Sequence, residues 1–212
     1  MILRVFHGLA GPGGEDALLA AIGEYAAPTL ERLPSLTGFQ LGIRRADAGE
    51  IVIVTTWMDF GAILANGDAL VDAPRAIGGA PRLFATSHAD HYELVIGDER
   101  GGPIPDARLR VANVTIKPGR EAGYFQAASP IAERLTASGM MMHLLGRRIA
   151  ADHTEVCAVT LWQGDPPPDA RGNAEGPILP GTEDLSDFYA APPVARLYEP
   201  LLRSAARRGS MV

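Results

Sequence analysis

Apolar and polar positions alternate from Ile2 to Leu9. Leu3, Val5, His7 and Leu9 share one face and Ile2, Arg4, Phe6 and Gly8 the other, which predicts a strand. Gly11-Pro12-Gly13-Gly14 predicts a turn. Leu18, Leu19, Ile22, Tyr25 and Ala26 then recur at helical spacing, so Glu15 to Ala27 reads as an amphipathic helix that Pro28 kinks or restarts into Thr29 to Leu33. Gly38 to Arg45 and Glu50 to Trp57 read as strands joined by the turn Ala46-Asp47-Ala48-Gly49. The unbroken apolar run Ile51 to Val54 marks a strand buried on both faces. Asp59 caps a helix from Phe60 to Ala65 that Gly67 ends. Asp68 to Thr86, with Pro74, Gly78-Gly79 and Pro81, reads as loop and short helix, and His91 to Ile96 as a fourth strand. The order is β-α-β-β-α-β, the ferredoxin-like plan.

Asp98 to Pro105 reads as a linker. Beyond it come a strand from Arg108 to Ile116, a helix from Glu121 to Leu135, and strands from Met140 to Ile149 and Thr154 to Trp162. Gln163 to Gly181 is rich in Pro, Gly and Asp and reads as a lid or a disordered loop. Thr182 caps a helix that Pro192-Pro193 breaks. Val194, Leu197, Tyr198, Leu201 and Leu202 fall on one side of a further helix, Val194 to Arg207, bent at Pro200. On this reading the second unit lacks its last strand, and its open edge predicts that a second copy of the chain covers it as a homodimer.

The two series are echoes. Leu3-Arg4-Val5, Pro12-Gly13 and Glu15 recur as Leu109-Arg110-Val111, Pro118-Gly119 and Glu121, at an offset of 106 from Leu3 to Leu109. Pro28 to Leu33 is echoed by Pro130 to Leu135, Arg44-Arg45 by Arg147-Arg148, and Val54-Thr55-Thr56-Trp57 by Val159-Thr160-Leu161-Trp162. The chain's two tryptophans thus hold the same place in each copy. One unit written twice follows, residues 1–98 and 106–212, an α+β protein of tandem ferredoxin-like repeats whose antiparallel sheets pack as an α+β barrel.

A net charge of −6 argues against non-specific binding to nucleic acid or anionic membranes. No apolar run approaches the ~20 residues that span a bilayer. The apolar start of the chain is too short for a secretory signal. The lone Cys157 forms no internal disulfide and reads as a buried small hydrophobe, so a cytoplasmic location is expected. His88-Ala89-Asp90-His91 is the one cluster with metal-ligand chemistry, but on a strand His88 and Asp90 share a face that His91 does not, so no metal is expected.

Two ferredoxin-like units whose third strand ends in V-T-x-W resemble the antibiotic-biosynthesis-monooxygenase (ABM) domains of the dimeric α+β barrel superfamily. The resemblance runs from Ile2 to Trp162 and more loosely beyond. The family includes cofactor-free oxygenases of polycyclic phenols, haem-degrading oxygenases and members without known activity, so the resemblance implies a cofactor-independent monooxygenase or, alternatively, a non-catalytic small-molecule- or haem-binding protein of the same fold. In the haem-degrading branch an Asn on the first strand, a Trp closing the third and a His on the next helix form the site. Asn113 and Trp162 match the first two; no His follows Trp162, and Tyr198 stands in that region. In the first unit His7 takes the place of the Asn and Trp57 matches the Trp. The resemblance therefore implies no cofactor, with haem the alternative although its expected His ligand is not found.

Oxygenation without a cofactor requires an electron-rich substrate, such as a small aromatic or polyketide-like phenol held as its phenolate away from water. Trp162 offers a stacking face and an N–H, Asn113 an amide donor for the oxyanion, and His7 a proton acceptor near neutrality. Trp57, Tyr198 and Arg147 complete the expected substrate site.

Overall fold

The computed structural model describes residues 1–11, 14–21, 24, 32–33, 35–44, 49–66, 84–99, 106–136, 138–149, 154–168 and 182–203. The Pro28–Glu31 anchor, most of the turn before Gly49, the 67–83 stretch, the linker from 100 to 105 and the 169–181 part of the Pro-rich loop lie outside them. The chain divides into two compact units, Met1–His91 with Pro200–Val212, and Tyr92–Glu199. Two strands, β4 (Phe84–Glu99) and β8 (Val194–Arg203), are divided between the units.

In the first unit β1 (Ile2–Ala10), β2 (Leu36–Arg44) and β3 (Glu50–Trp57) are joined by β4 and β8 in the hydrogen-bonded order β4-β1-β3-β2-β8. All eight residues of β3 are buried, as its unbroken apolar run requires. Helices α1 (Gly14–Ala21) and α2 (Phe60–Asn66) accompany the sheet. Asp59 caps α2 by accepting the Ala62 N–H at 2.8 Å. The helix-side face of the sheet carries Phe6, Phe39, Ile53 and Trp57, packed with Leu18 and Ile63.

In the second unit β5 (Ala107–Thr115), β6 (Met140–Arg148) and β7 (Glu155–Gln163) lie in the order β8-β5-β7-β6-β4. Its helices are α3 (Glu121–Ala128), α4 (Ile131–Thr136) and a 3-10 turn, Glu183–Phe188. The single helix expected from Glu121 to Leu135 is thus two, separated at Ser129-Pro130, because Pro130 has no N–H to continue the helical ladder. Val114, Tyr124, Ile131, Leu145 and Trp162 belong to the core beneath these helices.

The doubling extends to register. Arg4 lies opposite Thr55 and Arg110 opposite Thr160; Phe39 lies opposite Thr55 and His143 opposite Thr160. Even the irregularity repeats: the β2–β3 pairing slips between Leu36 and Gly38, and the β6–β7 pairing between Met140 and Met142. One expected echo needs correcting. The register matches Arg44 with Arg148, not Arg147, and each faces the same partner: Arg44 lies 3.8 Å from Glu50 and Arg148 2.7 Å from Glu155.

The largest correction is at the end of the second unit. Val194–Arg203 is a strand, not a helix, so the last strand is present and the open edge inferred from its absence is not. Its apolar spacing fits a helix, but β5 offers an unpaired edge, and Leu109 to Asn113 pair with Tyr198 to Val194 along it. Pro200, costly inside a helix, is tolerated in this strand. Thr182 precedes a 3-10 turn and makes no side-chain cap. The fourth strand of the first unit is also longer than expected, starting at Phe84.

Candidate functional site

Both tryptophans are fully buried. Their indole N–H groups are already engaged: Trp57 donates to Thr55 Oγ1 at 2.8 Å and Trp162 to Thr160 Oγ1 at 2.9 Å. A threonine two residues earlier on a strand projects from the same face, so the V-T-x-W motif carries its own acceptor. Neither indole presents its N–H to a ligand.

The residues expected to join Trp162 do not. Asn113 lies opposite Cys157, and Trp162 opposite Arg108, so the two point to opposite faces of the sheet. Asn113 Oδ1 is buried without a hydrogen-bond partner among the described residues, on the face away from Trp162. His7 stands in the same relation to Trp57: it pairs with Val52, whereas Trp57 pairs with Ile2. The His7 ring stacks on His88 at 5.1 Å and its Nδ1 lies 3.7 Å from Glu50. Tyr198, buried, pairs with Leu109 on the Asn113 face. Arg147 is exposed near the end of β6 and forms an ion pair with Glu93. Among the described residues no group of three or more His, Cys, Asp or Glu is placed to hold a metal ion.

A different group converges. Arg110 on β5, Thr160 on β7 and His143 on β6 stand side by side in one row across three adjacent strands. They line a pocket between the sheet and the helices of the second unit, where Tyr124, Ile131 and Tyr189 form the facing wall. In the next row Ala112 lies opposite Ala158, and these two small side chains leave the space open. The cavity measures about 50 Å³ by the positions a water molecule's centre can take. At about 10–15 Å³ per water that is room for a few waters.

Burial sets the electrostatics of this pocket. Arg110 is 3% exposed, and burial brings its pKa down to about 10, partly offset by Tyr189; it remains a cation at neutral pH. His143 is also 3% exposed, and burial pushes its pKa down to about 4 against the pull of Asp98, so the ring is neutral. Its Nδ1 has no hydrogen-bond partner among the described residues. Burial pushes the Tyr189 phenol up to about 12, with Arg110 acting the other way, and pushes Tyr124 further still. One buried cation, one neutral imidazole and two un-ionised phenols thus share a small polar chamber with apolar walls, suited to a small anion or an acid that ionises on binding.

The sequence contained signals for two of these residues. Arg110 is the middle of the repeated Leu-Arg-Val, and Thr160 is the second residue of the repeated V-T-x-W. A charged residue repeated within a buried strand is the clue, because an arginine is seldom buried without a reason. His143, Tyr124 and Tyr189 had no comparable signature.

No protein family's sequence model matches the chain, and no curated protein matches it. Among solved structures it is similar to a "putative monooxygenase" of Fusobacterium nucleatum subsp. nucleatum, with 16% identity and TM-score 0.75, over 96% of this chain and 93% of that one. A second "putative monooxygenase", of Lactobacillus acidophilus, is 10% identical at TM-score 0.71, over 97% and 96%. An anthrone oxidase-like protein is 11% identical at TM-score 0.61, over 97% and 93%. The chain therefore shares the fold of these three proteins, with two ferredoxin-like α+β units in one polypeptide.

Proposed function

We propose that the chain is a cofactor-independent monooxygenase acting on a small, single-ring phenol held in the pocket of the second unit. The observation that carries this reading is the pairing of a buried cation, Arg110, with a buried neutral imidazole whose Nδ1 has no partner among the described residues, His143, on the wall of one chamber. Its support from fold is general: two similar structures are called putative monooxygenases and a third anthrone oxidase-like.

The roles follow from charge. Arg110 favours the phenolate over the phenol, and His143 accepts the phenolic proton as the ring enters; the new anion beside it raises its otherwise low basicity. The phenolate gives one electron to O2, and a C–O bond forms between ring carbon and oxygen. The hydroperoxide then loses water: its O–O bond and the ring C–H bond break, leaving a carbonyl. Phenol plus O2 becomes quinone plus water, so the substrate supplies all four electrons. The apolar walls keep bulk water from the intermediates.

The size of the cavity argues against polycyclic substrates unless side chains move. This pocket, at about 50 Å³, is far too small for haem. The test is oxygen uptake with monocyclic hydroxylated phenols, without added metal or cofactor. Uptake with quinone formation, abolished in Arg110→Gln and reduced at least tenfold in His143→Phe, is expected. Uptake equal to wild type in Arg110→Gln, or none with any phenol tried, overturns the reading.

A further inference from the structure

The tryptophan that the V-T-x-W motif places in each unit touches no ligand space through its N–H, yet it fixes the hydroxyl of its threonine. In the second unit Trp162 Nε1–H donates to Thr160 Oγ1 at 2.9 Å. A threonine hydroxyl has one proton and two lone pairs. With one lone pair taken by the indole, and no acceptor for the proton among the described residues, that proton is left for the pocket that Thr160 lines. In the first unit the same geometry is closed off. Thr55 receives the Trp57 N–H at 2.8 Å, but its own hydroxyl donates to the Arg4 carbonyl at 3.5 Å. There the neighbouring side chain in the row is Phe39 rather than histidine.

We infer that Thr160 is the directional hydrogen-bond donor to the ligand's oxyanion, working beside Arg110 and aimed by Trp162. Arg110 supplies charge; Thr160 supplies the fixed position of the oxygen, one strand across from both Arg110 and His143. Trp162 acts through Thr160 and is a positioning residue. This assignment rests on the phenolate pocket proposed above. It adds that the repeated tryptophan matters for ligand binding through a neighbour, and only in the second unit.

The probe is 4-nitrophenol, whose ionised form absorbs visible light, so binding and ionisation are read separately on the intact chain. Wild type is expected to bind the phenolate and shift its ionisation to lower pH. Thr160→Val should weaken binding about tenfold or more, as loss of a hydrogen bond to a charged oxygen does, and move the bound probe's ionisation back towards higher pH. Thr160→Ser should restore both, and Thr55→Val should change neither. Trp162→Phe should move the ionisation in the same direction by less, and it decides the matter if the valine variant does not fold. Binding by Thr160→Val within twofold of wild type with unaltered ionisation, or a serine variant as weak as the valine one, overturns the role of Thr160 and leaves the pocket standing. An unaltered ionisation in Trp162→Phe overturns the relay. Failure of wild type to bind the probe at all, or binding untouched by Arg110→Gln, overturns the pocket and this inference with it.

Discussion

The two halves carry the same framework and differ in what fills it. In the first, the row beside Arg4 and Thr55 ends in Phe39, and the next row sets Phe6 against Ile53. In the second, Arg110 and Thr160 are followed by His143, and Ala112 faces Ala158. Two large side chains have become alanines and a phenylalanine has become a histidine, at matched registers. The first half adds Phe84, whose ring meets Phe6 edge-on at 5.1 Å and lies so close over Gly8 that a Cβ there would sit 2.4 Å from it. The equivalent position in the second half is Val114. Among the described residues, one copy fills these two rows with aromatic and branched side chains, and the other lines a small polar pocket with the matching positions. The buried arginine survives in both, which separates its structural tolerance from its use.

The largest effect is expected where the halves agree. Trp57→Ala and Trp162→Ala should each cost about 3–5 kcal/mol in urea unfolding, the range for removing a buried tryptophan. A loss at one site but not at the other would mean that the motif is not equivalent in the two units. The next effect is specific to the second half. A buried histidine with its folded pKa depressed to about 4 from 6.5 binds fewer protons than the unfolded chain between those values. Stability from His143 is therefore intact above about pH 6.5 and is lost as pH falls towards 4, by up to about 3 kcal/mol at about 1.4 kcal/mol per pKa unit. His143→Phe, the side chain the first half uses, should flatten that part of the stability profile measured by urea titration at several pH values. A slope unchanged in the variant assigns it to other groups.

A smaller change is expected from Arg110→Gln, a tenfold to hundredfold loss of 4-nitrophenolate affinity, equivalent to about 1.5–3 kcal/mol for a charged hydrogen bond. Arg4→Gln should leave affinity within twofold. The smallest stability change comes from filling the chamber. Ala112→Phe copies Phe6 and should abolish phenolate binding while moving the unfolding free energy by about 1 kcal/mol, the scale of a tolerated repacking into existing space. Retained binding in that variant would place the ligand elsewhere.

Much of the framework was legible in the sequence because it is written in short-range order. The doubled Leu-Arg-Val and V-T-x-W motifs mark strands that pair at β1–β3 and β5–β7, and the unbroken Ile51–Val54 run gives a fully buried strand. The site was less legible because it depends on which residue faces which across strands. Asn113 and Trp162 looked like partners, but sharing a face requires the β5–β7 register, and a shift of one residue reverses every side chain. Arg110 and Thr160 were visible as repeated residues, yet nothing local revealed that His143 completes their row. Val194–Arg203 failed for a related reason: its helical spacing competes with pairing along β5, a contact more than eighty residues away in sequence.

The most direct test of the difference between the two copies is calorimetric titration of the wild-type chain and of Arg4→Gln and Arg110→Gln with 4-nitrophenolate. One site per chain is expected, kept in Arg4→Gln and lost in Arg110→Gln. Two equivalent sites per chain, or a site lost with Arg4 and kept without Arg110, would contradict that difference.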